Sequence, residues 1–258
     1  MILDFHATIG RWGARNTAPA QLSAYLDAAG IDSLLFTNLD AASVGEQAQN
    51  VEEQDANLAA LQVHKQDARL LPAYWVRAGR FDSNVHAFAG AMDAEPFAAA
   101  FFAPLLNGYE ADSEILDPYL SVLSRNHRPA IFLLGSDDRA DPLRLYRIAQ
   151  RHPSVAIVFC YDARGPHMRD AVDTAERAVQ RRDARLYWSA AHATAGEIAD
   201  AVKRLGDDHV LFATDASGAD GQAESARTLL DEIQGGLSAD EFQNVTAGNA
   251  RRLLRLTD

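Results

Sequence analysis

Short apolar runs recur along the chain, and longer segments with apolar residues three and four positions apart separate most of them. Runs of this length predict strands, and the intervening periodicity predicts amphipathic helices. Two runs, Ala130–Leu134 and Val155–Phe159, are continuously apolar, as is typical of parallel strands buried on both faces. The pattern predicts eight strands, at Ile2–His6, Ile31–Thr37, Arg69–Val76, Phe97–Ala103, Pro129–Leu134, Val155–Tyr161, Arg185–Ser189 and His209–Thr214.

The segments between the strands carry helix boundary signals. Asp141-Pro142 combines an N-cap residue with a proline at the first helical position. Gly30 follows the helical segment Ala20–Ala29, and Gly206 follows Thr194–Leu205, each at the position of a helix-terminating glycine. The segment from Ala219 to Asp258 shows no further strand pattern and predicts two or three closing helices.

No Pro/Gly/Ser-rich linker, charge block or low-complexity tract interrupts residues 1–258, so we expect a single domain. Eight strands with helical crossovers in 258 residues match a single (β/α)8 TIM barrel of the α/β class. A doubly wound open sheet usually has fewer strands and a glycine-rich phosphate turn, and the sequence contains neither G-x-G-x-x-G nor G-x-x-x-x-G-K-[ST]. The barrel is therefore the predicted fold.

Composition narrows the classes of partner. With 24 Lys plus Arg against 36 Asp plus Glu, the net charge of −12 argues against binding to nucleic acid or to an anionic membrane surface. The single cysteine, Cys160, excludes an intrachain disulfide and favours a cytoplasmic location. The first residues lack the pattern of a secretion signal, and the densest apolar stretch, Phe97–Leu106, is too short to span a bilayer.

The reacting groups of a TIM barrel lie at the C-terminal ends of its strands and in the loops that follow them. The predicted strand ends supply only a few groups able to bind or react. We take as site candidates His6, Trp75, Arg77, Tyr109, His192 and Asp215.

Three segments resemble one family of barrels. The opening Asp4-Phe5-His6-Ala7-Thr8-Ile9-Gly10 is similar to a first-strand pattern D-x-H-x-H-x-G, and Val210–Asp215 is similar to an eighth strand V-L-F-G-S-D. Asn249–Leu254 resembles a closing N-A-x-R-L-F/L helix. Over nearly its whole length, the chain thus resembles the amidohydrolase-related (amidohydrolase 2 type) TIM barrels. The resemblance implies hydrolysis of, or carboxylate loss from, a small organic acid or a cyclic amide or ester.

The same resemblance implies a metal held by two first-strand histidines, a histidine after strand five or six, and the eighth-strand aspartate. This sequence has Thr8, Leu133 and Tyr161 at three of those positions, so only His6 and Asp215 remain. Catalytic zinc takes at least three protein ligands, and leucine has no donor atom. We therefore expect no cofactor and no tightly bound metal, and a weakly held divalent ion at His6 and Asp215 stays open.

Other groups have simpler explanations than metal or nucleophile chemistry. Asp137, Asp138 and Asp141 could form a rival metal cluster, but an N-cap and solvated acids at a helix N-terminus explain them better. Cys160 ends an apolar strand and has no sequence neighbour that would activate it, so we expect an inert core residue.

The remaining candidates each have a functional and a structural interpretation. For Asp215 the functional interpretation is favoured, because an acid that ends a buried strand is costly for stability unless it is paired. His6 is equally consistent with a structural histidine. Arg77 could hold a substrate carboxylate or be an ordinary surface arginine, and His192 could be a second acid or base or an ordinary loop histidine. We assign Arg77, Tyr109, His192 and Trp75 to substrate binding.

Two functions follow. In the first, the protein is an enzyme acting without a tightly held metal, with Asp215 as general base and His6 orienting water or stabilising an oxyanion. In the second, it is a noncatalytic barrel, a degenerate paralogue that serves as a partner subunit or binds a small ligand. The loss of three ligand positions favours the second, and the polar mouth slightly favours the first.

Both functions predict a contact between His6 and Asp215, because the first and last strands of a closed barrel are neighbours. Such a pair would raise the pKa of the histidine and lower that of the aspartate. The expected partner is a small-molecule substrate or ligand, and a homo-oligomer or a catalytic homologue as partner stays open.

Overall fold

The computed structural model describes residues 1–12, 15–40, 51–135, 138–161, 165 and 167–256. Within these residues, nine strands form one sheet in the order β2-β1-β3-β4-β5-β6-β7-β8-β9. Every neighbouring pair is parallel except β1 with β2, which is antiparallel. The strands are β1 (Leu3–Trp12), β2 (Arg15–Thr17), β3 (Ser33–Asn38), β4 (Leu70–Val76), β5 (Ala99–Phe102), β6 (Ala130–Leu134), β7 (Ala156–Tyr161), β8 (Arg185–Ser189) and β9 (Val210–Leu211).

Helices connect successive parallel strands. Gly30 ends the first helix in the left-handed conformation (φ 70°), and the side chain of Asp141 caps the sixth, as predicted. In the described ranges, no helix is both long enough and apolar enough to cross a membrane. The helices are α1 (Pro19–Ala29), α2 (Glu53–Gln66), α3 (Val85–Ala94), α4 (Pro104–Asn107), α5 (Asp117–Asn126), α6 (Pro142–Arg151), α7 (His167–Arg181), α8 (Ala195–Leu205), α9 (Gln222–Gly236), α10 (Ala239–Gln243) and α11 (Asn249–Leu254).

The sheet closes on itself between β1 and the segment after β9. The backbone N–H of Phe5 donates to the carbonyl oxygen of Phe212 at 2.9 Å, and Ala7 forms a parallel bridge with Ala216. Eight parallel strands, counted without the short β2, therefore surround one interior, and the helices pack outside them. The predicted (β/α)8 TIM barrel is confirmed.

Side chains along the strands alternate between two apolar layers. One layer fills the barrel interior and includes Phe5, Trp75, Phe101 and Leu211. The other lies between sheet and helices and includes most of the remaining buried hydrophobic residues. The continuously apolar strands reflect this burial on both faces.

Most strands differ from their predicted bounds by one or two residues, and two strands differ by more. β1 runs to Trp12 and pairs with β2, which the apolar pattern missed because the hairpin extends beyond the buried barrel. β9 ends at Leu211, short of the predicted Thr214. The backbone N–H of Thr214 bonds to the side chain of Asp4 instead of to a neighbouring strand.

Candidate active site

A β-bulge in β1 turns His6 into the barrel. The pairing register of β1 with β3 shifts between Asp4 and Ala7. Simple alternation would put His6 on the same face as Asp4. Instead, the His6 ring stacks on interior Phe101, with centroids 5.8 Å apart and planes at 6°, while Asp4 accepts a hydrogen bond from Tyr25 of α1 outside the barrel. A bulge adds one residue to a strand and re-aims the side chains next to it.

His6 and Asp215 form a contact across the seam of the barrel. His6 Nε2 lies 3.2 Å from Asp215 Oδ1, and both side chains are almost fully buried. The predicted contact between the two residues is therefore present. Burial of a carboxylate is costly unless a partner offsets the lost hydration, and here the imidazole supplies that partner.

His192 approaches the other oxygen of the same carboxylate. Its Nε2 lies 3.3 Å from Asp215 Oδ2, and its side chain is one quarter exposed. Asp215 thus lies between two imidazoles, one in the interior and one that reaches solvent. The structure brings His192 into the site, although whether it binds substrate stays a prediction.

Asp215 and His192 both have an unusual backbone conformation. Asp215 has φ of 54° and His192 has φ of 63°, in the left-handed region that non-glycine residues rarely adopt. Among the described residues, the other non-glycine residues with positive φ are His127, Arg182 and Arg255, which directly follow α5, α7 and α11, where this conformation commonly ends a helix. His192 takes it inside the turn that the Ala193 N–H closes on the Ala190 carbonyl oxygen, whereas Asp215 follows no helix, and backbone strain of this kind concentrates at functional sites.

The pKa of His6 is raised well above its ordinary value, as predicted. Burial opposes the charged imidazolium, but the contacts with Cys160 and with the carboxylate of Asp215 more than offset this effect. The sequence predicts an inert Cys160 because it has no activating neighbour along the chain, yet the closed barrel places it beside His6 in the interior.

Asp4 supports this arrangement from outside the barrel. Its Oδ1 accepts hydrogen bonds from the backbone N–H groups of Thr214 at 3.0 Å and His6 at 3.3 Å, and its Oδ2 accepts from the Thr214 and Tyr25 hydroxyls. Burial raises the pKa of Asp4 to about 6, and these hydrogen bonds oppose the rise. Asp4 fixes the residue next to Asp215 and the backbone of His6, a role that its place in the D-x-H pattern alone did not reveal.

Two further polar atoms of the interior have no hydrogen-bond partner among the described residues. They are the indole Nε1 of Trp75 and the hydroxyl of Ser189. Both side chains are fully buried, and Trp75 pairs in register with Phe101, on which His6 stacks. Buried polar atoms are usually bonded, so unmet atoms beside a reactive pair are available to a ligand.

Arg77 is a buried residue, and the surface-arginine interpretation is wrong. It follows β4 directly, and its side chain is only 5% exposed. Its Nη1 donates to Asp82 Oδ2 at 2.6 Å, and its backbone N–H donates to Glu53 Oε2 at 2.6 Å. The structure therefore groups Arg77 with two carboxylates. Substrate binding by Arg77 stays a prediction.

Tyr109 lies next to this group. Burial, Tyr119 and Glu53 together raise the pKa of its hydroxyl. The pKa of Glu53 is itself raised, chiefly by burial, although Arg77 and Tyr74 donate hydrogen bonds to its carboxylate. Sequence patterns did not point to Glu53, because it opens helix α2 and does not end a strand.

Three residues stand at positions where the family resemblance implied histidine ligands of a metal. Thr8 is buried, Leu133 lines the interior and Tyr161 belongs to the outer layer, since β7 presents Cys160 inward. Among the described residues, no three His, Cys, Asp or Glu side chains are grouped so that they could hold a metal ion. These residues do not supply a complete ligand set. Asp137 lies outside the described residues.

Comparison with known proteins places the chain in a family. The amidohydrolase family model matches residues 4–256, and the chain belongs to that family. A comparison with curated proteins gives no significant match.

Among solved structures, an uncharacterised TIM-barrel protein from Bordetella bronchiseptica is 16% identical, with a TM-score of 0.73 and 98% of each chain covered. A 2,6-dihydroxybenzoate decarboxylase is 12% identical, with a TM-score of 0.74 and 98% of each chain covered. A protein from Acinetobacter baumannii described as a probable 2-pyrone-4,6-dicarboxylic acid hydrolase is 12% identical, with a TM-score of 0.66 and 99% of each chain covered. These similarities show the shared fold.

Proposed function

We propose that the protein is an enzyme that hydrolyses or decarboxylates a small organic acid or its cyclic ester or amide, with Asp215 as the acid-base group. The observation that carries the proposal is the buried Asp215 carboxylate between the imidazoles of His6 and His192, on backbone held at positive φ. A strained, buried acid with two titratable partners is costly for stability alone. The family and the kinds of reaction named for its structural neighbours support the general class.

In the proposed hydrolysis, Asp215 accepts a proton from water as the water oxygen attacks the carbonyl carbon. The imidazolium form of His6, which the raised pKa favours, stabilises the negative charge that develops on the carbonyl oxygen. His192 contacts Asp215 and reaches solvent, so it passes the proton to the leaving oxygen or nitrogen.

In the alternative decarboxylation, the bond between carbon and the carboxylate breaks and carbon dioxide leaves. The electron pair stays on the substrate carbon, and a proton from one of the two imidazoles takes the place of the carboxylate. The two reactions differ in one product, because only decarboxylation releases carbon dioxide.

Substrate binding in this proposal uses groups of the barrel mouth. The Trp75 indole N–H and the Ser189 hydroxyl can donate to a substrate oxygen. Arg77 directly follows β4, and Tyr109 follows β5 and the short helix α4. Both residues are proposed to bind the substrate carboxylate. We further propose that the reaction needs no tightly bound metal, which the apolar Leu133 in the interior supports.

The test is turnover of a panel of aromatic, cyclic and lactone carboxylic acids by the purified protein, with product and carbon dioxide both measured. Asp215→Asn should lower kcat by at least about a hundredfold while the urea midpoint shows that the fold persists. His86→Gln on α3 is the matched control, because His86 is exposed and far from the seam in sequence. Metal content and activity after chelation test the metal-free part separately.

The noncatalytic barrel is the competing outcome of the same experiment. If wild-type protein turns over none of the panel, and Asp215→Asn changes only stability or ligand affinity, the enzyme proposal fails. A cytoplasmic location and a homo-oligomer or catalytic homologue as partner are further proposals, which fractionation and light scattering test.

A further inference from the structure

Four arginines gather at the end of the barrel opposite the candidate active site. Arg128 directly precedes Pro129 and β6, Arg185 opens β8, and Arg252 and Arg255 lie in and just after α11. The N-terminal ends of parallel strands share one edge of a barrel, whereas Asp215 and His192 follow the C-terminal ends. These four residues, the arginine cluster, line a cavity of about 240 Å³.

None of the four guanidinium groups pairs with a carboxylate of the described residues. Arg128 Nη1 donates to the carbonyl oxygen of Leu254 at 2.6 Å, and Arg185 Nη1 donates to that of Ser154 at 3.0 Å. Arg252 bonds to the side-chain oxygens of Asn244 and Asn249. Neutral acceptors hold these side chains in place without cancelling their charge.

Some arginines elsewhere in the structure do pair with carboxylates. Arg69, Arg144 and Arg204 each contact two carboxylates. Acidic residues outnumber basic ones by 36 to 24, so partners for arginine are abundant in this chain. Four arginines around one cavity, none of them paired with a carboxylate of the described residues, concentrate positive charge at this surface.

The positive charges of the arginine cluster also repel one another. Burial and the charge of Arg255 both lower the pKa of Arg128, so Arg128 is held partly out of water beside a like charge. A ligand with several anionic oxygens would relieve this repulsion and accept paired hydrogen bonds from the guanidinium groups.

We propose that the arginine cluster is a binding site for a small polyanion that carries a phosphate group or two or more carboxylates. The size of the cavity suits a small molecule, and the net charge of −12 disfavours a nucleic acid at this surface. The site is separate from the His6–Asp215 pair and does not depend on the proposed function.

The test is isothermal titration calorimetry with inorganic pyrophosphate at constant ionic strength, repeated with citrate to distinguish phosphate from carboxylate preference. The double variant Arg185→Gln/Arg255→Gln removes two exposed members and leaves the half-buried Arg128 in place. Wild-type protein should bind at least one probe saturably, and the double variant should bind it about tenfold or more weakly. Arg227→Gln, an exposed arginine of α9, is the matched control and should bind like wild type.

Absence of saturable binding by wild-type protein to both probes would overturn the proposal. Equal affinity of the double variant and wild type would also overturn it, because the anion would then occupy another site such as the barrel mouth. A drop in affinity of the same size in Arg227→Gln would show a general charge effect and would likewise reject a specific site.

Discussion

Asp4 accepts two hydrogen bonds from Thr214. The backbone N–H of Thr214 donates to Oδ1 at 3.0 Å, and its hydroxyl donates to Oδ2. The two residues join the first strand of the barrel to the segment immediately before Asp215. Because Asp4 also accepts from the backbone N–H of His6, one buried carboxylate orients both members of the His6–Asp215 contact.

Removing the Asp4 carboxylate should destabilise the junction between the first strand and the segment before Asp215. Asp4→Ala leaves buried donors of Thr214, His6 and Tyr25 without an acceptor, so we expect the free energy of unfolding to fall by about 3 kcal/mol or more. Tyr25→Phe removes only one donor to Asp4 and should cost about 1 kcal/mol. Urea denaturation measures both, and equal costs for the two variants would contradict the central role of Asp4.

The raised pKa of Asp4 predicts a specific pH dependence. The folded-state pKa is about 6 against 3.8 for the free group, so the folded state binds this proton more tightly than the unfolded state does. The resulting stabilisation is present below pH 3.8 and is lost as pH rises through 6.

Asp4→Asn cannot titrate, so the stability of wild type relative to this variant should fall by about 3 kcal/mol between those pH values. The comparison cancels the other acids, some of which have lowered pKa values and act in the opposite direction. A difference between wild type and variant that stays constant with pH would mean that folding does not raise the pKa of Asp4.

Because the backbone at Asp215 is left-handed, we expect glycine to be more favourable for stability than alanine at this position, the reverse of their usual order. Both Asp215→Ala and Asp215→Gly remove the carboxylate, but only glycine adopts φ of 54° without strain. We expect the glycine variant to be more stable by about 1 kcal/mol. Ala201→Gly, inside helix α8, is the control, and there the wild-type alanine should be the more stable. An alanine preference at both sites would show that Asp215 carries no backbone strain.

The charge state of His6 depends on Asp215. In wild-type protein its pKa is raised well above 6.5, so the stability that His6 contributes is present below pH 6.5 and is lost as pH rises through the folded-state value. In Asp215→Asn the carboxylate no longer favours the imidazolium, while burial still disfavours it, so the pKa should fall. NMR titration of the ring protons of His6 measures both values, and an unchanged pKa would assign the effect to Cys160 alone.

The sequence by itself determined the elements and two members of the site. Apolar runs indicated the parallel strands, because burial on both faces leaves no polar alternation in a strand such as β6. The predicted strand Arg185–Ser189 has the same bounds as β8. Gly30 and Asp141 marked helix ends, because left-handed backbone and an orphan N–H each demand a particular residue type. Strand order then made the first and last strands neighbours, which is enough to predict that His6 meets Asp215.

Tertiary structure decided what local pattern does not encode. The bulge in β1, which turns His6 inward and leaves Asp4 outside, arises from the pairing of two strands far apart in sequence. The approach of His192, the burial of Arg77 beside Asp82 and the meeting of four arginines likewise depend on which chain segments the closed barrel brings together. The charge and hydrogen bonding of a side chain depend on its neighbours in space, and those neighbours exist only once the barrel has closed.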